Sequence, residues 1–279
     1  MSVKGWKYYN NAIIPTTPPH MEVAPLSIQE ATNWNNWKND GKQIYFARWT
    51  SDWDTQKETN WWFVIKDSPF DINELKSKRR YEVNKGIKNF DVVEIDCKNF
   101  KEEIYEVQTA AREGYSEQFI KSIDKEKLFW NIENRWDYYK SYGAIYRETG
   151  EFCGYALLRK DGEYINYALQ YAKPDFEKYG VNAALVNGIL EDHKEFLLSG
   201  GYICDGSRTV HHQSAFQDYL QKYFGFRKAY CRLHIKYKAV FGIFVNVLYP
   251  FRKILRKSKN GKIKKISSVL AMEEVVRNG

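Results

Sequence analysis

The stretch KPDFEKYGVNAAL, residues 173–185, decides the fold of this chain because it joins a predicted strand to an apolar helix. Pro174 ends the strand, Gly180 comes just before the helix, and small residues fill the first turn. A helix N-terminus offers unpaired N–H groups and a favourable dipole, so the pattern is typical of a phosphate-binding turn. An ordinary strand-to-helix connection has the same features. Glu177 also places a negative charge where a phosphate site favours a positive one.

Composition restricts the possible classes of protein. The 279 residues allow one large domain or two ordinary ones, and contents of 43% hydrophobic and 16% aromatic residues argue against a disordered chain. The net charge is +8, and residues 252–265 carry eight basic and no acidic residues, so 8 − 8 = 0 remains for the rest of the chain. The sequence therefore lacks the distributed basic surface that is typical of a polyanion-binding protein.

The four cysteines lack the spacing of a zinc site, so we expect no metal. The N-terminus has no secretory apolar region. Buried free thiols in a reducing cytoplasm are the simplest interpretation.

Before residue 91 the chain gives three predictions. Residues 1–40 are rich in Pro, Asn and Trp and are expected to be mostly loop. Residues 43–50 and 60–67 read as strands joined by a hairpin-like loop. Residues 68–90 read as a basic helix, capped by Asp71 and weakened near its end by Gly86.

From residue 91 the apolar periodicity predicts strands and helices in a mixed order. The predicted elements are a strand at 91–97, helices at 99–115 and 124–143, strands at 144–150, 151–162 and 163–174, a helix at about 180–198, a strand at 201–208, a helix at 212–225 and a strand at 226–238. We therefore predict the α/β class, with an α+β mixed sheet and a strand-to-helix crossover in the middle.

This order and the turn at 173–185 together resemble the GNAT superfamily of N-acyltransferases. The family's turn runs Pro-Glu-Tyr-Arg-Gly-Lys-Gly-Ile-Gly. The matching positions in this sequence are Pro174, Asp175, Phe176, Gly180 and Val181. Glu177 replaces the family's basic residue or Gln, and Asn182 replaces its last Gly. The segment FGFRKAYCRLHI, residues 224–235, resembles the family's Gly-Phe ending.

The resemblance covers about residues 90–238 through degenerate motifs, and it implies three regions. Residues 1–89 would form an N-terminal extension of a hairpin and a basic helix. Residues 90–238 would form a GNAT-like acyltransferase domain, and residues 239–279 an apolar segment with a basic C-terminal tail.

A second resemblance concerns LKSKRRYEVNKGIKNFDVVEI, residues 75–95, and YICDGSR, residues 202–208. Both are similar to segments of Fem-type transferases, which carry GNAT-like domains. These enzymes add amino acids to cell-wall precursors from aminoacyl-tRNA, so tRNA becomes a possible partner.

The GNAT resemblance also implies a cofactor site for acetyl-CoA or another acyl-CoA. Backbone N–H groups near Tyr171 and Ala172 would polarise the acyl carbonyl. The pyrophosphate would bind the side chain of Lys178 and the first-turn amides of Gly180, Val181, Asn182 and Ala183.

N-acylation needs a base for the amine and an acid for the leaving thiolate. Asp205, His211 and His212 are the candidate bases, although Asp205 could cap a turn and the histidines could be exposed. In the family a Tyr four residues before the Gly of Gly-Phe supplies the acid. That position is Gln221 here, so Tyr219 is only a nearby candidate, and it could equally be core.

Arg208 is a candidate for binding an anionic group of the substrate, with a surface Arg as the alternative. In the tail, the apolar residues 239–251 are too few to span a bilayer and run directly into the basic stretch. Residues 239–265 could therefore anchor the protein on an anionic membrane surface. The alternative is a C-terminal core helix with a disordered basic end.

We therefore expect an N-acyltransferase that moves an acyl group from acyl-CoA to an amine, such as an amino sugar or peptide precursor of envelope glycan synthesis. A Fem-like aminoacyl-tRNA-dependent transferase is the first alternative. A non-catalytic GNAT-fold binding or scaffold protein is the second. The expected location is the cytoplasm, with peripheral attachment at the inner face of the membrane.

Overall fold

The computed structural model describes residues 3–37, 41, 43–113, 123–208, 215–258 and 260–279. In chain order the strands and helices are β1 (Trp6–Tyr9), β2 (Ala12–Pro15), α1 (Pro25–Thr32), β3 (Phe46–Ser51), β4 (Trp61–Lys66), α2 (Ser77–Asn89), β5 (Phe90–Glu94), α3 (Lys101–Glu113), α4 (Lys125–Arg135), β6 (Lys140–Tyr146), β7 (Phe152–Asp161), β8 (Tyr164–Ala172), α5 (Val181–Asp192), α6 (Lys194–Leu198), β9 (Tyr202–Ser207), α7 (Ala215–Phe224), β10 (Arg227–Tyr237), α8 (Ala239–Leu248), α9 (Arg252–Leu255) and α10 (Gly261–Asn278).

The chain divides into two compact units. Unit 1 comprises Met1–Val64, Ser207–Ala215 and Lys228–Gly279, and unit 2 comprises Ile65–Gly206 and Phe216–Arg227. Each unit contains residues from both sides of a predicted domain boundary. The division of the chain at 89/90 and 238/239 stays a prediction.

Unit 2 contains a five-stranded arrangement in the order β9-β8-β7-β6-β5. The strands β5 to β8 pair with one another in antiparallel fashion, and β9 pairs with β8 in parallel. The helix α5 packs against β5, β6 and β7, whereas α3 packs against β7 and β8. The apolar residues 152–158 of β7 are buried throughout, as expected for a strand whose two faces are both covered.

Unit 1 contains strands in the order β1-β2-β3-β10-β4. The strands β1 and β2 form an antiparallel hairpin whose two turn residues, Asn10 and Asn11, have φ of 49° and 64°. Asn tolerates such values better than most residues, and they suit a two-residue hairpin turn. The prediction that residues 1–40 are mostly loop was therefore wrong for this hairpin and for α1.

The predicted order of the strands from β5 to β10 is confirmed, but two predicted helices were too long. The helix predicted at about 180–198 is divided into α5 and α6. Residues 124–143 divide into α4, which ends at Arg135, and β6, which begins at Lys140. Gly143 lies within β6, so it does not end a helix. It packs closely on the neighbouring strand, since a Cβ there would lie 2.6 Å from the ring of Phe152 on β7. Pairing of β6 between β5 and β7 overrides the local helical pattern.

The region before β5 also needs two corrections. Asp71 accepts a hydrogen bond from the backbone N of Asn73 at 2.8 Å, so it caps the 3-10 turn Ile72–Glu74 and not α2. The helix itself begins only at Ser77 because Leu75 is extended. The strands predicted at 43–50 and 60–67 are present as β3 and β4, but β10 lies between them, so they do not form a hairpin.

The four cysteines are buried and form no disulfide among the described residues, which confirms the expectation of buried thiols. Burial raises the pKa of Cys153 to about 11 and that of Cys231 to about 12. These thiols are therefore protonated and unreactive at neutral pH.

Candidate active site

The strands β8 and β9 separate where β9 reaches Asp205. Among the described residues their parallel pairing joins 164–166 of β8 to 202–204 of β9, while β8 stays paired with β7 as far as Ala172. Gly206 follows with φ of +93°, and the described residues leave the position of a Cβ there unobstructed within 4 Å. Among the described residues, the end of β9 is thus left uncovered at Gly206, the residue next to Asp205.

A bulge in β8 places Tyr167 and Gln170 on the same side of the strand. The register with β7 shifts at this point and leaves Ala168 as the extra residue. The hydroxyl of Tyr167 donates to Oε1 of Gln170 at 2.5 Å, and Nε2 of Gln170 donates to Oδ1 of Asn182 at 2.8 Å. This chain of hydrogen bonds ties the separated part of β8 to the first turn of α5.

Asp205 is half-buried beside α7, and burial raises the pKa of its carboxyl group to about 7. A hydrogen bond from the side chain of Gln217 opposes this shift. Nε2 of Gln217 also lies 3.4 Å from the backbone carbonyl oxygen of Asp205. A carboxyl group that titrates near neutral pH has the property required of a general base. The other two candidate bases, His211 and His212, lie outside the described residues.

Two tyrosines belong to the same cluster. Burial raises the pKa of Tyr167 well above its usual range, and the nearby Asp205 and Tyr219 raise it further. Burial is also the main cause of the raised pKa of Tyr219. The ring of Phe216 lies edge-on to Tyr167 with centroids 5.8 Å apart and stacks on Tyr219 at 6.3 Å. Both hydroxyls stay protonated at neutral pH, so neither can act as a base. The hydroxyl of Tyr219 can donate to a substrate, whereas that of Tyr167 already donates to Gln170.

The first turn of α5 is covered by the helix α2. A Cβ on Gly86 of α2 would lie 2.4 Å from the carbonyl oxygen of Gly180 and 2.8 Å from the backbone N of Ala184. In return, a Cβ on Gly180 would lie 2.8 Å from the backbone N of Gly86. Asn89 also donates from Nδ2 to the carbonyl oxygen of Tyr179 at 3.1 Å. Because backbone meets backbone here, α2 covers this side of the turn. The predicted binding of a CoA pyrophosphate by the first-turn amides stays a prediction.

The side chains of the predicted phosphate-binding residues differ in exposure. Val181 and Ala183 are buried in the core. Asn182 is engaged by Gln170. Lys178 is exposed, with Nζ 5.0 Å from the centroid of the neighbouring Tyr179 ring.

Three further predicted positions lie on either side of this turn. Glu177 is exposed, so its charge is not buried against the turn. Tyr171 and Ala172, predicted to lie at the acyl carbonyl, pair with Tyr155 and Gly154 of β7 beyond the bulge. Their proposed role in polarising a carbonyl stays a prediction.

Arg208 lies in unit 1 and is described separately. One guanidinium nitrogen, Nη1, donates to the carbonyl oxygen of Asn60 at 2.6 Å, and the guanidinium lies 4.4 Å from the centroid of a Trp62 ring. Nζ of Lys228 lies 4.2 Å from a Trp62 ring centroid. Nε of Arg208 is buried with no hydrogen-bond partner among the described residues. The cation is thus held in place by stacking, which is compatible with its predicted role in binding an anion.

Sequence reasoning identified Asp205 and Tyr219 but missed Tyr167, Gln170 and Gln217. The available signal was a glutamine in an otherwise apolar strand and another on the inward face of an amphipathic helix. Buried polar side chains need partners, so such positions indicate a polar cluster. The bulge that unites Tyr167 with Gln170 could not be read from the sequence.

No protein-family model matches the chain, and no curated protein matches it. Two solved structures are similar in fold. L-PGS from Bacillus licheniformis superposes with a TM-score of 0.52 at 11% identity and covers 98% of this chain and 85% of its own. FemX superposes with a TM-score of 0.51 at 9% identity, over 83% of this chain and 79% of its own.

Both of these proteins have the GNAT fold. At these identities the likeness concerns the fold alone. The predicted mixed α/β class and the GNAT-like fold, with the Fem-like resemblance, are confirmed at that level.

Proposed function

We propose that this protein is a transferase of the Fem-like kind, which moves an aminoacyl group from aminoacyl-tRNA to an amine acceptor. The observation that carries the proposal is the helix α2, which packs its Gly86 against the first turn of α5 and carries the exposed Lys76, Lys78 and Lys88. The acid–base cluster around Asp205 lies in the same unit and would supply the chemistry. The likeness in fold to FemX and L-PGS supports a transferase.

The central step would take place at Asp205. The carboxylate accepts a proton from the acceptor amine, and the amine nitrogen attacks the ester carbonyl of the donor. A C–N bond forms, the C–O bond to the ribose oxygen breaks, and that oxygen receives a proton as it leaves. Since the pKa of Asp205 is about 7, a large fraction of the carboxyl groups is ionised at neutral pH and ready to act.

The tyrosines would serve the same step in different ways. The hydroxyl of Tyr219 carries a proton at neutral pH, so it can donate to the developing oxyanion or to the leaving oxygen. The hydroxyl of Tyr167 already donates to Gln170, which makes Tyr167 a positioning residue. Its role is to hold the separated segment of β8 at a fixed distance from α5.

Cationic side chains for an RNA donor are available on α2. Lys76, at its N-cap, and Lys78 and Lys88 within it are exposed. Arg79 of the same helix is fixed by a hydrogen bond from Nη1 to the carbonyl oxygen of Lys222 at 2.9 Å. Phosphate contacts of this kind supply affinity without sequence specificity. The helix that packs against the first turn of α5 would thus contribute to binding the RNA donor.

The donor can be identified with the purified full chain. Isothermal calorimetry with acetyl-CoA is expected to give no heat at millimolar ligand, whereas filter binding with a mixture of aminoacyl-tRNAs is expected to saturate and to weaken as salt is raised. Replacement of Lys76, Lys78 and Lys88 by Ser should weaken the salt dependence of tRNA binding. The slope of log K against the logarithm of salt concentration should fall by about one unit for each of these lysines that neutralises a phosphate.

A matched control removes three exposed lysines from elsewhere in unit 2, namely Lys127, Lys160 and Lys194. It should leave tRNA binding unchanged. Saturable binding of acetyl-CoA would overturn the proposal in favour of the acyl-CoA alternative. Absence of binding to either donor by the folded protein would favour the non-catalytic scaffold.

A further inference from the structure

The helical segment at residues 239–255 carries a stripe of exposed apolar side chains. Within α8 the members are one, three or four residues apart, so they fall on one face of that helix. Two further members follow in the 3-10 turn Tyr249–Phe251 and in α9. The six members are Val240, Ile243, Phe244, Val247, Phe251 and Ile254, with exposed fractions between 42% and 82%. We call this set the exposed stripe. A contiguous apolar surface of this kind marks an interaction site.

The opposite face of α8 is fixed to unit 1, so the stripe is held in place. Val245 is buried, and the ring of Phe241 stacks on Tyr45 at 4.7 Å and on Phe46 at 6.4 Å. Phe241 also packs against the apolar cluster that contains Met272 of α10. The helix therefore has one face in the core and a second apolar face in solvent.

The charges around the stripe have one sign. Lys253, Arg256 and Lys257 are exposed at its C-terminal end, and residues 239–272 contain no acidic residue. The acidic Glu273 and Glu274 follow, and each is already bonded to an arginine of unit 1. A second copy of the chain would bring no acidic residue on its own stripe to meet these cations. An anionic lipid surface offers both an apolar interior and negative headgroups.

We infer that the exposed stripe docks this protein on an anionic lipid bilayer, with α8 and α9 lying in the interface. Among the described residues no helix is both long and apolar enough to cross a membrane, which agrees with a helix that lies along the surface. Ile243 and Val247 would enter the acyl region. Lys253, Arg256 and Lys257 would stay at the level of the headgroups. The inference does not depend on the proposed function, because lipid binding needs neither donor nor acceptor.

Co-sedimentation with vesicles tests this directly. The full chain is expected to bind vesicles of phosphatidylcholine mixed with phosphatidylglycerol and to stay in solution with phosphatidylcholine alone. The variant Ile243→Ser/Val247→Ser should reduce the partition coefficient about tenfold or more. The variant Lys253→Ser/Arg256→Ser/Lys257→Ser should reduce it by about fivefold for each basic residue, with the loss shrinking at high salt.

The matched control is Leu26→Ser/Leu198→Ser, which removes two equally exposed apolar side chains outside the stripe. It should bind as the unchanged protein does. Circular dichroism of each variant confirms that it is folded, and since the altered side chains are exposed, all should fold. The inference is overturned if the unchanged protein ignores anionic vesicles, or if it binds both lipid mixtures equally. It is also overturned if gel filtration shows a dimer that only the Ile243→Ser/Val247→Ser variant loses, since the stripe would then be an interface between copies.

Discussion

The first turn of α5 and the end of β9 both belong to unit 2. The first has a recognisable sequence motif, whereas the second has the residue whose chemistry suits catalysis. The turn keeps the spacing of a phosphate-binding motif, but Gly86 of α2 fills the space beside Gly180. The end of β9 carries only a short Asp-Gly pair, yet its Asp205 titrates near neutral pH beside an open position at Gly206. The motif therefore predicts how the chain folds at this turn, whereas burial and access determine which residues can react.

The largest expected effect concerns the end of β9. Replacement of Asp205 by Asn removes the base, so the transfer rate should fall by about 10²–10⁴-fold. In the unchanged protein the rate should rise with pH through about pH 7, because only the ionised carboxylate accepts a proton. Initial rates of aminoacyl transfer across this pH range provide the measurement.

Asp175→Asn is the control for that experiment, because Asp175 is an exposed carboxylate of the same unit. It should leave both the rate and its pH profile unchanged. Unchanged rates in the Asp205 variant would place the chemistry elsewhere and remove the contrast between the two regions.

The next effect concerns the first turn of α5. Gly86→Ala would force a methyl group against the backbone of Gly180 and Ala184, so the free energy of unfolding should fall by about 1–3 kcal/mol. Urea unfolding followed by circular dichroism measures the loss. Gly261→Ala is the control, since the described residues leave the position of a Cβ there unobstructed. A variant as stable as the parent would show that α2 is able to move away from the turn without loss.

A smaller effect is the pH dependence of stability. The pKa of Asp205 is higher in the fold than its ordinary 3.8, so the folded state binds more protons than the unfolded state between about pH 4 and pH 7. Stability from this group is therefore lost as pH rises through that window. Asp205→Asn should be more stable than the parent at pH 8 by on the order of 2 kcal/mol, and the difference should shrink at pH 4. Thermal unfolding at the two pH values would contradict this if the difference stayed constant.

The smallest effect is expected at the bulge of β8. Tyr167→Phe leaves Oε1 of Gln170 without its donor, which should cost about 1 kcal/mol of unfolding free energy. Tyr171→Phe is the matched control on the same strand, because its hydroxyl has no hydrogen bond to any described residue. Equal stabilities of the two variants would show that the hydrogen-bond chain to Asn182 does not hold the strand in place.

The sequence predicted much of the fold where local pattern and tertiary pairing agree. The alternation and turn residues of 144–174 predicted the strands β6 to β8, and Pro174 marked the end of β8. The prediction failed where pairing overrides local preference, as at Lys140–Tyr146, which reads as helix in its first residues but lies between two strands. At the hairpin of β1 and β2, the Asn10-Asn11 pair was an available signal that was not used.

The candidate site was predicted in part for similar reasons. Asp205 could be found because an acidic residue directly follows an apolar strand. Tyr167 and Gln170 could not, since a regular strand would place residues three apart on opposite faces, and only the bulge unites them. Gly86 was read as a weak point in a helix, because nothing local shows that Gly180 would lie against it.

By itself, the sequence determined the kinds of element, their order and the turn at Gly180, because these depend on apolar periodicity and on the conformational freedom of glycine. It also determined the apolar and basic composition of residues 239–265. Only the tertiary structure decided that α2 packs against the first turn of α5 and that the pKa of Asp205 rises to about 7. It also decided that six apolar side chains of α8 and the residues after it remain in solvent. These properties arise from contacts between residues far apart in the chain, and burial, which sets both pKa and access, is a property of the packed molecule.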